Sequence, residues 1–125
     1  MSAKEAFEIY KTELNKHDFE RLVPLISGDC VFWHPTGVYN GLEQVRQGLE
    51  KGWQTILGKD CQFSKIDWTV ETDRMAICNY TFFYSGIVEG QKIHEEVHGT
   101  SCFRLEQDHW KVLREHLSFA PHKVA

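Results

Sequence analysis

Three residues of the chain have the types that proton chemistry needs: Tyr10, His34 and Glu115. His34 closes the apolar run Cys30-Val31-Phe32-Trp33 and is followed by Pro35. An imidazole takes or gives a proton near neutral pH, so His34 can serve as a general base. It can equally hydrogen-bond a ligand, a water or a loop. The phenol of Tyr10 can donate to a developing oxyanion or a ligand carbonyl. It also falls on an apolar helix stripe, where packing alone would explain it. Glu115 shares a strand face with Leu113, Leu117 and Phe119. A carboxyl among apolar groups resists ionisation, which suits it to proton transfer. A pairing with an Arg or Lys, or a place at the rim, is the competing reading. If the side chains of His34 and Glu115 converge, they form an acid/base pair.

The other candidates carry less. His94 and His98 share a strand face but stand about 13 Å apart, which is too far for one metal ion. Cys30, Cys61, Cys78 and Cys102 contain no C-x-x-C pair. No other cluster has metal-ligand spacing, and no metal or cofactor is expected. His116 and Ser118 sit on the face opposite Glu115 and read as structural or interfacial. Nucleophile-elbow, P-loop and dinucleotide fingerprints are absent from the sequence.

The elements that position these residues follow from periodicity. Ala3, Ala6, Phe7, Tyr10 and Leu14 form one stripe of a helix over residues 3–16. Asp18 can cap a second helix from Phe19 to about Ile26, which Pro24 makes short or irregular. Ser27-Gly28-Asp29 reads as a turn and Cys30–His34 as a strand. Val38-Tyr39 is briefly extended. A third helix presents Leu42, Val45, Leu49, Trp53 and Ile56 on one face, with Gly48 and Gly52 marking close packing. Four extended runs follow, Cys61–Val70, Met75–Val88, Lys92–Leu105 and Trp110–Phe119, joined by short polar hairpins of which Glu89-Gly90 is the clearest. The tail Pro121–Ala125 is expected to be loose. The order gives an α+β fold with helices on one face of a curved antiparallel sheet.

Length and composition narrow the function. A chain of 125 residues is enough for a single domain over residues 1–125. With a net charge of −4 and no basic run, nucleic acid is a poor partner. The N-terminus lacks a signal-like apolar core, and no stretch nears the roughly 18 apolar residues of a membrane span. We therefore expect a cytoplasmic protein with reduced, mostly buried thiols and no membrane contact. Met75–Ser85 is apolar on both faces. Helices can cover one face only, so a second subunit is the simplest cover for the other, and a homodimer is expected.

Two strings, HDFERLVPLISGDCVFWHP and HWKVLREHLSFAP, carry a resemblance. With the element order, they make the chain similar to the nuclear transport factor 2-like superfamily, in its SnoaL-like and ketosteroid-isomerase-like branch. The second string also resembles the C-terminal strand of the calcium/calmodulin-dependent protein kinase II association domain. The resemblance implies a cystatin-like cone, in the order α-α-β-α-β-β-β-β, with the sheet wrapped around a long N-terminal helix. It further implies an internal pocket and dimerisation through the outer sheet face. Tyr10, eight residues before Asp18, matches the family's catalytic tyrosine. His34 before Pro35 stands where the isomerases carry their base, and Ser101 stands where they carry a second oxyanion donor. The resemblance turns Leu113, Glu115, Leu117 and Phe119 inward, and Trp110, Val112, Arg114, His116 and Ser118 outward.

The expected function is binding of a small apolar or aromatic molecule in an aromatic-lined pocket. Trp33, Trp53, Thr81, Phe83, Ser101, Phe103 and Leu117 are the candidate ligand contacts, and Phe63 and Trp68 are further wall candidates. Tyr80, Phe82 and Tyr84 are assigned to the outer face. Two alternatives stand beside it. One is an isomerase or cyclase with His34 as base and Tyr10 as oxyanion donor. The other is a non-catalytic oligomerisation module whose pocket is filled by Trp53, Phe83 and Phe103.

Overall fold

The computed structural model describes residues 1–119. The tail Pro121–Ala125 lies outside the described residues. Helix α1 (Ala3–Leu14) begins at a capping box: Ser2 Oγ accepts from the Glu5 amide and Glu5 Oε1 accepts from the Ser2 amide. Its whole apolar stripe, Ala3, Ala6, Phe7, Tyr10 and Leu14, is buried. Asn15 ends the helix and ties it down. Its side-chain amide donates to the Cys61 carbonyl at 2.9 Å and accepts from the Cys61 amide at 2.8 Å. Two residues on, His17 takes a left-handed backbone (φ 55°) and bonds the Lys59 carbonyl at 2.7 Å. These contacts fix where along the sheet Tyr10 falls.

The expected second helix is two 3-10 turns, Phe19–Arg21 and Val23–Leu25, with Asp18 capping the first. Pro24 lies within the second turn, where a continuous α-helix would need an amide proton it lacks. Strand β1 (Ile26–His34) starts earlier than the sequence suggests. Ser27-Gly28-Asp29 is strand rather than turn, with a register irregularity between Ile26 and Val31. Its polar side chains are held from a later strand: Arg104 donates to Ser27 and to Asp29, and Ser27 donates to Glu106. Pro35-Thr36 then turns the chain into β2 (Gly37–Asn40), which pairs antiparallel with β1.

Helix α2 (Gly41–Thr55) is followed by four long strands: β3 (Leu57–Glu71), β4 (Met75–Val88), β5 (Gln91–Glu106) and β6 (His109–Phe119). The β4–β5 turn places both Glu89 and Gly90 at positive φ, and the β5–β6 turn does the same with Gln107 and Asp108. Paired left-handed residues match the twist of a two-residue hairpin. The sheet is curved and unclosed, with strand order β2-β1-β6-β5-β4-β3. All pairings are antiparallel except β1 with β6, which is parallel.

One expected facing is reversed, and a second holds only for part of its strand. On β4 the even positions Ala76, Cys78, Tyr80 and Phe82 are buried, and Tyr84 packs against them; Thr81 and Phe83 point away. Both faces of β4 are apolar, so alternation alone could not choose between them. On β6, Trp110 and Val112 are buried together with Glu115 and Leu117. The pairing steps from Cys102↔Arg114 to Phe103↔Val112, leaving Leu113 as an extra residue. That bulge switches the inward parity partway along the strand.

Helix α1 lies on the inner face. Phe7 is surrounded by Phe63, Trp68, Tyr80 and Phe103, with ring centroids 5.3 to 5.9 Å away. This aromatic plug fills one end of the curved sheet. Tyr80 needs Gly99 opposite it on β5: a Cβ there would stand 2.2 Å from the Tyr80 ring. None of the helices among the described residues is long and apolar enough to cross a membrane. All four cysteines are free, three of them buried.

Candidate functional site

The other end of the inner face is hollow. A cavity of about 400 Å³ lies between the inner sheet face and α2. Apolar walls come from Leu14 on α1, Leu49, Trp53 and Ile56 along α2, Phe82 and Tyr84 on β4, Val97 on β5 and Leu117 on β6. This explains the character of α2: of its expected apolar face only Val45 is fully buried, and Leu49, Trp53 and Ile56 border the cavity. Gly48 lets Tyr39 lie under the helix, since a Cβ at residue 48 would come within 2.7 Å of the Tyr39 ring.

The three proton-chemistry candidates meet at the cavity wall. Glu115 is only 4% exposed. Its Oε1 accepts from the Tyr10 hydroxyl at 2.8 Å, and its Oε2 lies 2.7 Å from His34 Nε2. Three elements deliver the three groups. The stripe of α1 directs Tyr10 inward, the end of β1 directs His34, and β6, which runs parallel beside β1, directs Glu115 from the position opposite Phe32. No hydrogen bond reaches His34 Nδ1 from the described residues, so this nitrogen remains for a ligand. Burial, followed by the nearby charge of Glu115, pushes the Tyr10 phenol well above its usual range. It therefore stays protonated and donating at all ordinary pH.

A phenol has one proton, and here that proton goes to Glu115. In this structure the Tyr10 hydroxyl is thus directed at the carboxylate.

The proposed ligand contacts divide. Trp53 and Leu117 line the cavity with Tyr10, His34 and Glu115. Trp33 does not: it is 55% exposed and its ring lies near His116. Adjacent strand residues face opposite ways, so once His34 turns inward Trp33 must turn out. Thr81 and Phe83 are on the outer face for the same reason. Ser101 and Phe103 face inward but lie outside the cavity. Ser101 bonds the Tyr80 hydroxyl at 2.7 Å, and Phe103 belongs to the plug around Phe7, as do Phe63 and Trp68. Sequence reasoning missed Leu14, Tyr39, Leu49, Lys51, Lys59, Phe82, Tyr84 and Val97 as wall residues. The one available signal was Gly48 and Gly52 on the apolar side of α2, which marked a close approach.

Solved structures share this architecture. A nuclear transport factor 2-like superfamily protein from Salmonella enterica superposes with a TM-score of 0.84 at 18% identity, covering 97% of this chain and 89% of that one. A Xanthomonas campestris protein, provisionally named a calcium/calmodulin-dependent protein kinase II association domain, gives 0.79 at 16% identity, covering 94% and 84%. A Streptomyces avermitilis protein, provisionally named a dehydratase of the same family, gives 0.80 at 18% identity, covering 95% and 94%. At such identities the likeness shows the fold, which is nuclear transport factor 2-like. Within that class, residues 7–113 match the SnoaL-like domain family, and the chain belongs to it. No curated protein matches the chain. The fold and the buried aromatic cluster fit a ligand-binding or isomerase/dehydratase-type domain.

Proposed function

We propose that the cavity binds a small, largely apolar or aromatic molecule and that His34 moves a proton on it. The observation behind this reading is the bridging of Tyr10 and His34 by one buried carboxylate at the cavity wall. Glu115 accepts the Nε2 proton of His34, which leaves the Nδ1 lone pair as the base. Once Nδ1 takes a proton, the imidazolium is stabilised by the carboxylate already in contact with it. Tyr10 holds that carboxylate in place from the other side. The matching reaction class is abstraction of a proton next to a carbonyl, as in an isomerisation or an elimination. The cavity is open rather than filled by aromatic side chains, which supports this reading over a purely oligomerising one.

A melting-temperature screen with steroid ketones, polyketide-like aromatics and small carboxylates should find binders. For carbonyl-bearing binders, exchange of the adjacent C–H in heavy water is read by NMR. His34→Ala should slow that exchange by at least about 100-fold while the molecule still binds. Exchange at the wild-type rate in His34→Ala would reject the role of His34. Binding with no exchange would leave a binding domain only.

We also propose a homodimer through the outer sheet face, where Ile77, Thr81 and Phe83 of β4 are half-buried within one chain. Light scattering at micromolar concentration should give twice the monomer mass; the monomer mass would exclude the pairing.

A further inference from the structure

The charged groups of the cavity are unbalanced. Among the described residues its one carboxylate, Glu115, is already engaged by His34 and Tyr10. Two ammonium groups, those of Lys51 and Lys59, also belong to the lining. The ion pairs among the described residues engage Lys4, Lys11, Lys16, Arg21, Arg46 and Arg104, and neither cavity lysine is among them. Two acids lie near this rim but outside the lining. Asp60 accepts from Gln62, and Glu95 sits across from Tyr84 on the neighbouring strand.

Lys59 is also held in place. Its main chain is fixed by the His17 contact, and its Nζ lies over the Tyr84 ring, 5.0 Å from the centroid. Residue 52 of α2 is a glycine, and a Cβ there would stand 3.4 Å from Nζ. The ammonium is therefore tucked between a bare turn of helix and an aromatic face, at the edge of an apolar cavity. A cation in such a place interacts with an anion more strongly than it would in open water, because the walls lower the local dielectric.

Resting on the proposed reading of the cavity, we infer that its ligand is an apolar or aromatic carboxylate. The anion sits at Lys59 and Lys51, and the apolar body lies against Phe82 and Leu117. A carboxylate suits the site better than a phosphate. Among the described residues the lining offers two point charges and no arginine, and so lacks the forked donors that favour a phosphate group.

The test uses matched acid and primary-amide pairs built on phenyl, naphthyl, indolyl and steroid skeletons, titrated calorimetrically into the whole protein. Each pair keeps shape and apolar area while removing the charge. The better-binding acids should bind at least about tenfold more tightly than their amides. Raising the salt should weaken the acids more than the amides. Lys59→Gln should bring the acid-to-amide ratio close to one with amide affinity unchanged, and Lys59→Arg should restore the preference. Lys51→Gln should lower it less, since Lys51 is the more exposed of the two. Amides binding as tightly as acids, or a preference that survives in the Lys51→Gln/Lys59→Gln double variant, would overturn the carboxylate assignment and leave the cavity reading intact. Binding of neither series would overturn the cavity reading and this inference with it.

Discussion

The inner face of the curved sheet has two ends that share α1, β4 and β5 and are used differently. At one end Phe7 is enclosed by Phe63, Trp68, Tyr80 and Phe103, with the Tyr80–Ser101 bond among them and the Lys11 ammonium over the Phe7 ring. At the other end α2 stands off the sheet and about 400 Å³ stays open. Helix α1 spans both, with Phe7 in the plug and Tyr10, one turn later, at the cavity wall. The triad of Tyr10, Glu115 and His34 marks the border between them. A buried carboxylate is tolerated there because both of its oxygens are hydrogen-bonded. The plug supplies packed aromatic core beside the cavity.

The contrast is broken most directly by truncation at each end. Phe7→Ala should cost about 3–5 kcal/mol, because the removed ring leaves a hole with fixed aromatic walls. Leu49→Ala should cost no more than about 1 kcal/mol, because that side chain already borders empty volume. Urea denaturation reads both, and equal losses would mean that the cavity closes in solution.

A smaller effect follows from pH. Burial pushes the thiols of Cys61 and Cys78 up to about 12 and the phenols of Tyr10 and Tyr80 well above 10.0. In the unfolded chain these groups lose their protons first, so the folded state binds more protons at alkaline pH. Stability should be flat below about pH 8. Above that it should fall as thiols and then phenols ionise in the unfolded chain, by up to about 1.4 kcal/mol per pH unit for each group. Melting temperatures between pH 7 and 11 check this. A flat profile would mean that the interior is wetter than the packing implies.

The smallest expected effect is at the cavity roof. Gly48→Ala adds a methyl that must displace the half-buried Tyr39 ring. The gain of about 1 kcal/mol in helix propensity opposes that strain. The melting temperature should therefore move little, while affinity for cavity ligands changes several-fold. Gly99→Ala meets the buried Tyr80 ring instead and should cost about 1–3 kcal/mol. Similar losses at both positions would show that the two ends are equally rigid.

Much of this was legible in the residues themselves. The α1 stripe, the break at Pro24, the Glu89-Gly90 turn and the long strands follow from local rules: periodicity, a missing amide proton and tolerance of positive φ. His34, Tyr10 and Glu115 stood out by type, because each is a titratable or hydrogen-bonding group in an apolar pattern. The facing of β4 was not legible, since Tyr80-Phe82-Tyr84 and Ile77-Thr81-Phe83 are both apolar enough to be inside. Nor was the parity of β6, which depends on a one-residue bulge at Leu113 that leaves no mark in the sequence.

The sequence by itself determined the class of fold and the kinds of group able to move a proton. Only the tertiary structure decided that Glu115 joins Tyr10 and His34, because those contacts span 105 and 81 residues of chain. It also decided that the Tyr10 hydroxyl is directed at a carboxylate. Both outcomes depend on how far α1 and β1 slide along β6, and that registry is set by the packing of the whole interior, not by any local stretch of residues.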